Sequence, residues 1–294
     1  MDLTSITMIQ LTARQRLDGR AKKGGAVSNP PSGLETDLFA HGGERDPQIS
    51  ARGPARSLPK RFYAQVTVGE TAQGFGIMLD ARPVFTPRKH RVIVPTRALA
   101  GHLASEWATQ TTSINPATMP LTRLTNTALD GVASQYAAVE AEVMRFAASD
   151  LICYRVEEPE TLAKQQAAAW DPILAFLKDR LGVRLNLGAG VTFIDQSPET
   201  LAALTDGVRE SVKTGACAPF RLAAMYELTA LSGSLGLALA LAHEFLSVEA
   251  AWAAANLDED FQMRVWGEDH EALARREKRF SDFRAAAVLF FSLN

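Results

Sequence analysis

The sequence predicts an α+β protein, in which a small N-terminal antiparallel β domain with one helix is followed by a larger, mainly helical domain. Between residues 60 and 95, short segments alternate apolar and polar residues, as half-buried strands do. After residue 116, capping signals and helical apolar spacing replace that alternation. Residues 220–246 are predicted to form one helix, and between Leu228 and Ala242 this helix holds no charge and is apolar or small on every face, which predicts that it is buried.

Composition excludes several classes of protein. The chain has 294 residues, 47% of them hydrophobic, which is sufficient for a sizeable core. Lys and Arg number 31 and Asp and Glu 33, so the net charge of −2 argues against a nucleic-acid binder and gives no reason to expect a membrane surface as partner. The apolar run in 228–242 is too short for a membrane span. Cys153 and Cys217 are far apart and outside any CxxC pattern, and we interpret them as inert core thiols.

Residues 1–59 are predicted to be a disordered extension. The segments GGAVSNPPSG and HGGERDPQISARGPARSLP resemble linkers, and the apolar positions show no sustained period. Acidic residues weaken an organelle-targeting interpretation, and a secretory apolar segment is absent from the sequence.

Residues 60–115 are predicted to form the small α+β domain. RFYAQVTVGE, FGIMLD and HRVIVP are predicted strands, and their tight connections favour an antiparallel meander. Thr96 is a good N-cap for a helix over residues 97–110, with Leu99, Leu103 and Trp107 on one face. One helix over a small sheet forms two packed layers.

Residues 116–294 are predicted to form the helical domain. Helices are expected over residues 134–148, 161–170, 171–181, 197–213, 220–246, 248–256, 258–265 and 269–284, after a first one that begins near Pro120. Asp171-Pro172 is interpreted as the start of a separate helix. VRLNL and VTFID, separated by GAG, are predicted to form a hairpin. Gly233 and Gly236 are expected where a neighbouring helix approaches closely. The final AAAVLFFSL could be helix or strand.

His243-Glu244 resembles the beginning of the zinc motif HExxH. That motif needs a second histidine four residues later, where this chain has Ser247, so the metal site is incomplete. The glycine pairs of the sequence do not complete a phosphate-binding loop. A hydrolase or metalloenzyme that uses His243 and Glu244 remains an alternative.

A polar cluster, WGEDHE at residues 266–271, begins the last predicted helix. Acidic residues in a first turn are stabilised by the helix dipole. The same carboxylates, beside Trp266, could instead contact a partner protein. Both interpretations are open at this point.

Seven stretches, in order, resemble one family. They are KRFY (60–63), EWATQ (106–110), MPLTRLTNTALD (119–130), SDLICYR (149–155), QQAAAWDPIL (165–174), ELTALSGSLGLALAL (227–241) and WGEDHEA (266–272). Each is weak alone, but the ordered set resembles the assembly chaperone family that binds the alpha subunit of ATP synthase, known from mitochondria and related bacteria.

The resemblance implies an assembly chaperone that is not an enzyme and needs no cofactor, metal, small-molecule substrate or nucleic acid. Its expected partner is the unassembled alpha subunit, whose beta-facing interface it would shield from aggregation. The expected compartment is the bacterial cytoplasm, or the mitochondrial matrix in a eukaryote. A helical protein-interaction scaffold is the other alternative.

The resemblance also implies functional residues. Trp107 matches a tryptophan of the first helix, with an expected role in anchoring that helix on the sheet. An acidic residue after the Trp266-Gly267 pair is implied to bind the partner; Glu268, Asp269 and Glu271 are the candidates, and Glu271 is favoured.

Overall fold

The computed structural model describes residues 58–190, 192–267 and 269–294. An antiparallel sheet with one helix is followed by a mostly helical region, which confirms the predicted α+β class. The extension predicted at residues 1–59 lies outside the described residues, apart from its last two. The described part contains no helix that is both long enough and apolar enough to cross a membrane.

The structure divides into two compact units. Within the described residues, the sheet unit comprises 58–136, 215–223 and 288–294, and the helical unit comprises 137–190, 192–214, 224–267 and 269–287. The domain boundary that we predicted at residue 116 does not coincide with this division. That residues 60–115 and 116–294 form separate domains stays a prediction.

The sheet is built around one hairpin. Strand β1 (Val66–Thr71) pairs antiparallel with β2 (Gly74–Leu79), and β2 also pairs with β3 (Arg82–Pro83) and β4 (Ile93–Val94). Gly74 has φ +137°, and a Cβ atom there would lie 2.4 Å from the carbonyl oxygen of Val94. Only glycine therefore lets the hairpin turn this closely against the neighbouring strand.

Helices α1 and α2 follow the sheet within the sheet unit. The Thr96 hydroxyl accepts a hydrogen bond from Leu99 N at 3.2 Å, so it is the N-cap that the sequence predicts for α1 (Arg97–Ala108). The α1 side chains Leu99 and Leu103 are fully buried. Helix α2 (Pro120–Thr127) begins with its predicted proline and runs into a π-helical turn.

The remaining helices and strands lie wholly or mostly in the helical unit. Their bounds are α3 (Tyr136–Ala147), β5 (Tyr154–Arg155), α4 (Glu160–Leu181), β6 (Gly188–Ala189), α5 (Pro198–Val212), α6 (Ala218–Ser232), α7 (Leu235–Ala242), α8 (Val248–Ala255), α9 (Leu257–Trp266) and α10 (His270–Phe291). Helices α3, α6 and α10 each extend in part into the segments of the sheet unit.

The predicted helix over residues 220–246 is wrong as a single element, because it breaks between α6 and α7. Gly233 ends α6 with φ +72°, the left-handed conformation that glycine adopts without strain. The Ser234 hydroxyl then caps α7 by accepting from Leu237 N at 3.0 Å. The prediction that this stretch is buried is correct for α7. The leucine and alanine residues between 235 and 241 are each at most 1% exposed.

The predicted helix boundary at Asp171-Pro172 is also wrong, because α4 continues through Pro172. Proline cannot donate to the carbonyl of Ala168, but both residues lie on the exposed face, where water can bind that oxygen. Trp170, Ile173 and Leu177 are buried along the opposite face, and their packing keeps the helix continuous.

The hairpin predicted around GAG does not form among the described residues. Gly188 and Ala189 instead form β6, which pairs in parallel with β5. The flanking segments are joined by side chains, since Asn186 N donates to Gln196 Oε1 at 2.8 Å. Val191, the first residue of the second predicted strand, lies outside the described residues.

The C-terminal AAAVLFFSL extends a helix. Phe283, Ala286, Ala287 and Phe290 are buried at helical spacing along α10, which continues to Phe291. The choice between helix and strand that periodicity left open is decided by this packing.

Candidate functional site

The polar cluster predicted from WGEDHE forms the connection between α9 and α10, which we call the acidic turn (residues 266–271). Helix α9 ends at Trp266, and Gly267 leaves it with φ +93°, a conformation that favours glycine. The amide of Gly267 still donates to Met263 O at 3.0 Å. Glu268 lies outside the described residues.

The two described acids of this turn have different surroundings. The Asp269 carboxylate accepts from Glu271 N at 3.0 Å, and its backbone carbonyl accepts from Leu273 N, so Asp269 caps α10. The Glu271 carboxylate lies 2.9 Å from Arg275 Nη1 across one helical turn, and its side chain is 81% exposed. Asp269 therefore has a structural role. Among the described residues, the Glu271 side chain is held only by its surface ion pair with Arg275, of a type worth about 0.3–0.5 kcal/mol.

Trp266 lies beside these acids with 70% of its surface exposed, and Val265 before it is 55% exposed. Tryptophan is enriched among the residues that dominate binding energy in protein interfaces. An exposed indole next to carboxylates can contact a partner that presents apolar and cationic groups. Partner binding by Glu271, Glu268, Asp269 and Trp266 stays a prediction.

Trp107 lies near the end of α1 and is half-buried. Its ring contacts that of Tyr63 edge-on at 6.0 Å, and the Tyr63 hydroxyl donates to the Trp107 carbonyl at 2.7 Å. These contacts connect α1 to the segment that leads into β1. They suit the anchoring role that the resemblance implies, and that role stays a prediction.

Two carboxylates, the half-buried Glu106 and the fully buried Asp150, were missed by the sequence analysis although both lie in the family motifs. Glu106, in EWATQ, accepts from the amides of Leu121 and Thr122 at 2.9 and 2.7 Å, so it caps α2 from another helix. Burial raises its pKa, and these hydrogen bonds oppose that rise. The signal in the sequence was an acid two residues before the end of an amphipathic helix, which alone is not distinctive.

Asp150, in SDLICYR, caps α7 in the same way. Its Oδ2 accepts from Gly236 N at 2.8 Å, and its Oδ1 accepts from Ile152 N at 3.2 Å. The side chain is fully buried, and desolvation raises its pKa to about 6 against the effect of those hydrogen bonds. The motif SDLICYR and the motif that contains Gly236 are thus joined by one carboxylate.

His243 and Glu244 do not form the helical metal motif. Helix α7 ends at Ala242, and Glu244 has φ +58°, so residues 243 and 247 do not share a helical face. His243 Nε2 lies 3.4 Å from the Ser211 hydroxyl, and burial, followed by the charge of Arg180, lowers the pKa of its imidazole. Residues 58–190, 192–267 and 269–294 contain no group of three or more metal-ligating side chains.

Cys153 and Cys217 are both free thiols. Cys153 is buried, and desolvation, with a contribution from the Asp150 carboxylate, raises its pKa strongly. The thiolate is the reactive form, so we expect the Cys153 thiol to react slowly in the folded protein, and its burial agrees with the predicted core position. Cys217 is only half-buried.

Comparison with known proteins places this geometry in a family. The family model described as ATP12 chaperone protein matches residues 60–178, which contain the first five motifs. The Atu1473 protein of Agrobacterium tumefaciens, a candidate chaperone, is 44% identical, with 89% of this chain and 96% of that chain covered and a TM-score of 0.76.

Two further crystal structures agree. Atp12 from Paracoccus denitrificans is 35% identical, with 80% of this chain and 99% of that chain covered and a TM-score of 0.73. An aspartate-to-lysine mutant of the Paracoccus protein is 34% identical, with coverages of 81% and 100% and the same TM-score of 0.73.

The fold and these relatives define a class, the α+β chaperones. Within that class, the chain belongs to the ATP12 chaperone family, and the family predicted from its ordered motifs is confirmed.

Proposed function

We propose that this protein is an ATP synthase assembly chaperone that binds the unassembled alpha subunit and shields the surface that later meets the beta subunit. The observation that carries the proposal is the match to Atp12 from Paracoccus denitrificans at 35% identity over 99% of that chain. The compartment that follows is the bacterial cytoplasm, or the mitochondrial matrix in a eukaryote.

Such a chaperone acts by binding its client and does not need to catalyse a reaction. An unpaired subunit of an obligate complex exposes a large apolar interface, which aggregates unless it is covered. A folded protein can cover that interface by binding alone, without nucleotide or metal. The beta subunit then releases the chaperone if it binds the same surface more tightly.

The acidic turn is the proposed contact point with the alpha subunit. Trp266 would supply an apolar anchor, and Glu271 an exposed carboxylate that is not needed to cap α10. A charge at the rim of an interface mainly controls partner choice and association rate.

The test is aggregation of purified alpha subunit during refolding, followed by light scattering. An equimolar amount of this protein is expected to keep the alpha subunit in solution, and added beta subunit is expected to release it. Refolding of the beta subunit is the matched control. Equal protection of both subunits would support a general interaction scaffold, and protection of neither would refute the proposal.

A further inference from the structure

A groove in the helical unit lies beside the acidic turn and has no role in the site described above. Its volume is about 710 Å³, within the range of ligand-binding clefts. Helices α8 and α9, together with α4 and the segment after α7, form its lining, which includes Ala250, Ala253, Ala254, Leu246 and Met263.

Alanines at positions 169, 250, 253 and 254 contribute much of the lining of the groove. Ala250 and Ala253 of α8 are exposed to solvent, although both carry apolar methyl groups. A methyl group leaves room above it that a larger side chain from elsewhere can fill. Met263 on the wall has a flexible side chain, which adapts to the shape of an incoming group.

The rim of the groove carries an arginine that is not neutralised by a described carboxylate. Arg264 donates to Gln165 Oε1 at 2.7 Å and to the backbone carbonyl of Asp260 at 3.3 Å, and both acceptors are uncharged. The Asp260 carboxylate is paired with Arg276 instead. Arg264 therefore presents a positive charge to whatever enters the groove.

The end of α9 links the groove to the acidic turn. Arg264 and Trp266 are two residues apart on this helix and therefore point to different sides of it. Met263, which lines the groove, precedes Trp266 by three residues, so the two side chains are neighbours on the helix surface. A partner that packs on Met263 can thus also reach the exposed Trp266 indole.

We propose that the groove binds an amphipathic helix of the unassembled alpha subunit, with one large apolar side chain over Ala253 and a carboxylate paired with Arg264. The groove is lined by helices and one connecting segment, so it offers no sheet edge to which a partner could add a strand. Helix-in-groove binding, by contrast, needs only apolar anchors on one face of the incoming helix. The proposal rests on the proposed function, since it names the binding mode of that client.

The first test fills the groove. Because Ala253 is exposed, Ala253→Phe adds bulk without entering the core. The matched control is Ala168→Phe on α4, an exposed alanine in mid-helix that does not line the groove. With full-length protein and purified alpha subunit, Ala253→Phe is expected to weaken binding about tenfold or more, while Ala168→Phe leaves it unchanged. Both variants should melt like the parent.

The second test addresses the charge. Arg264→Glu is expected to weaken binding about tenfold at low salt and less at high salt, because salt screens an exposed ion pair. Arg264→Lys keeps the charge and should retain most of the affinity. Equal loss in both variants would show that packing of the arginine, rather than its charge, matters, and would overturn the carboxylate assignment.

Each remaining outcome overturns the groove proposal. If the parent and Ala253→Phe bind the alpha subunit equally well, the groove proposal is overturned while the proposed function stands. If Ala253→Phe changes the oligomeric state of the free protein without loss of binding, the occupant is a second copy of this chain, and the proposal is again overturned. Tighter binding of the alpha subunit by Ala253→Phe also overturns it, since the client then does not need the space above Ala253. If the parent does not bind the alpha subunit, the proposed function fails and this inference fails with it.

Discussion

Reversing the charge of Glu271 separates a structural role from a binding role. Glu271→Lys removes the ion pair with Arg275, about 0.3–0.5 kcal/mol, and places two cations one turn apart at a similar cost. It also removes a favourable interaction with the helix dipole, about 0.3–1 kcal/mol. The total of roughly 1–2 kcal/mol should lower the melting temperature by only a few degrees.

The chain offers a close control for this change. Glu160 lies in the first turn of α4, is paired with Lys164 at 2.7 Å across one helical turn, and is 79% exposed, compared with 81% for Glu271. Glu160→Lys should therefore cost the same stability. Asp269→Lys should cost more, since a lost cap adds about 0.5–2 kcal/mol.

Capture of purified alpha subunit at low and moderate salt is the binding assay. We expect Glu271→Lys to lose capture strongly while Glu160→Lys keeps it, with similar melting temperatures. If Glu271→Lys and Glu160→Lys capture the subunit equally well, the Glu271 carboxylate only begins a helix, and the client contact lies elsewhere.

Three further predictions follow from buried groups. Gly236→Ala should lower the free energy of unfolding by up to about 2 kcal/mol, because its Cβ would lie 2.9 Å from Ile152 Cδ1 and this overpacking, about 1–3 kcal/mol, is opposed by a gain in helix propensity of about 1 kcal/mol; unchanged urea unfolding would show that the core adapts. The folded-state pKa of Asp150 is raised to about 6, compared with an unfolded value near 3.8. Protonated Asp150 therefore contributes its full stability below pH 3.8, and this contribution is lost as the pH rises to 6. Urea unfolding of Asp150→Asn should lack that decline, and a pH profile identical to that of the parent would contradict the assignment. Native protein should react with maleimide at Cys217 well before Cys153, as peptide mass mapping would show, and the opposite order would mean that Cys153 is accessible.

The sequence by itself determined the features that depend on neighbouring residues. Alternation marked the strands of the hairpin, and Thr96 and Ser197 marked helix starts because a hydroxyl cap bonds to an amide only three residues away. The ordered motifs were sufficient to identify the family. The sequence could not distinguish the exposed Glu271 from the capping Asp269, because neighbouring acids at a helix start give the same sequence pattern.

Tertiary structure alone decided the features that depend on distant partners. Helix α4 passes through Pro172 because its opposite face is buried, and β6 exists because β5 lies alongside it. Glu106 and Asp150 each cap a helix by accepting from an amide 15 or more residues away. No local pattern encodes these pairings, because the energy of a buried hydrogen bond or a packed face depends on which segment arrives opposite it.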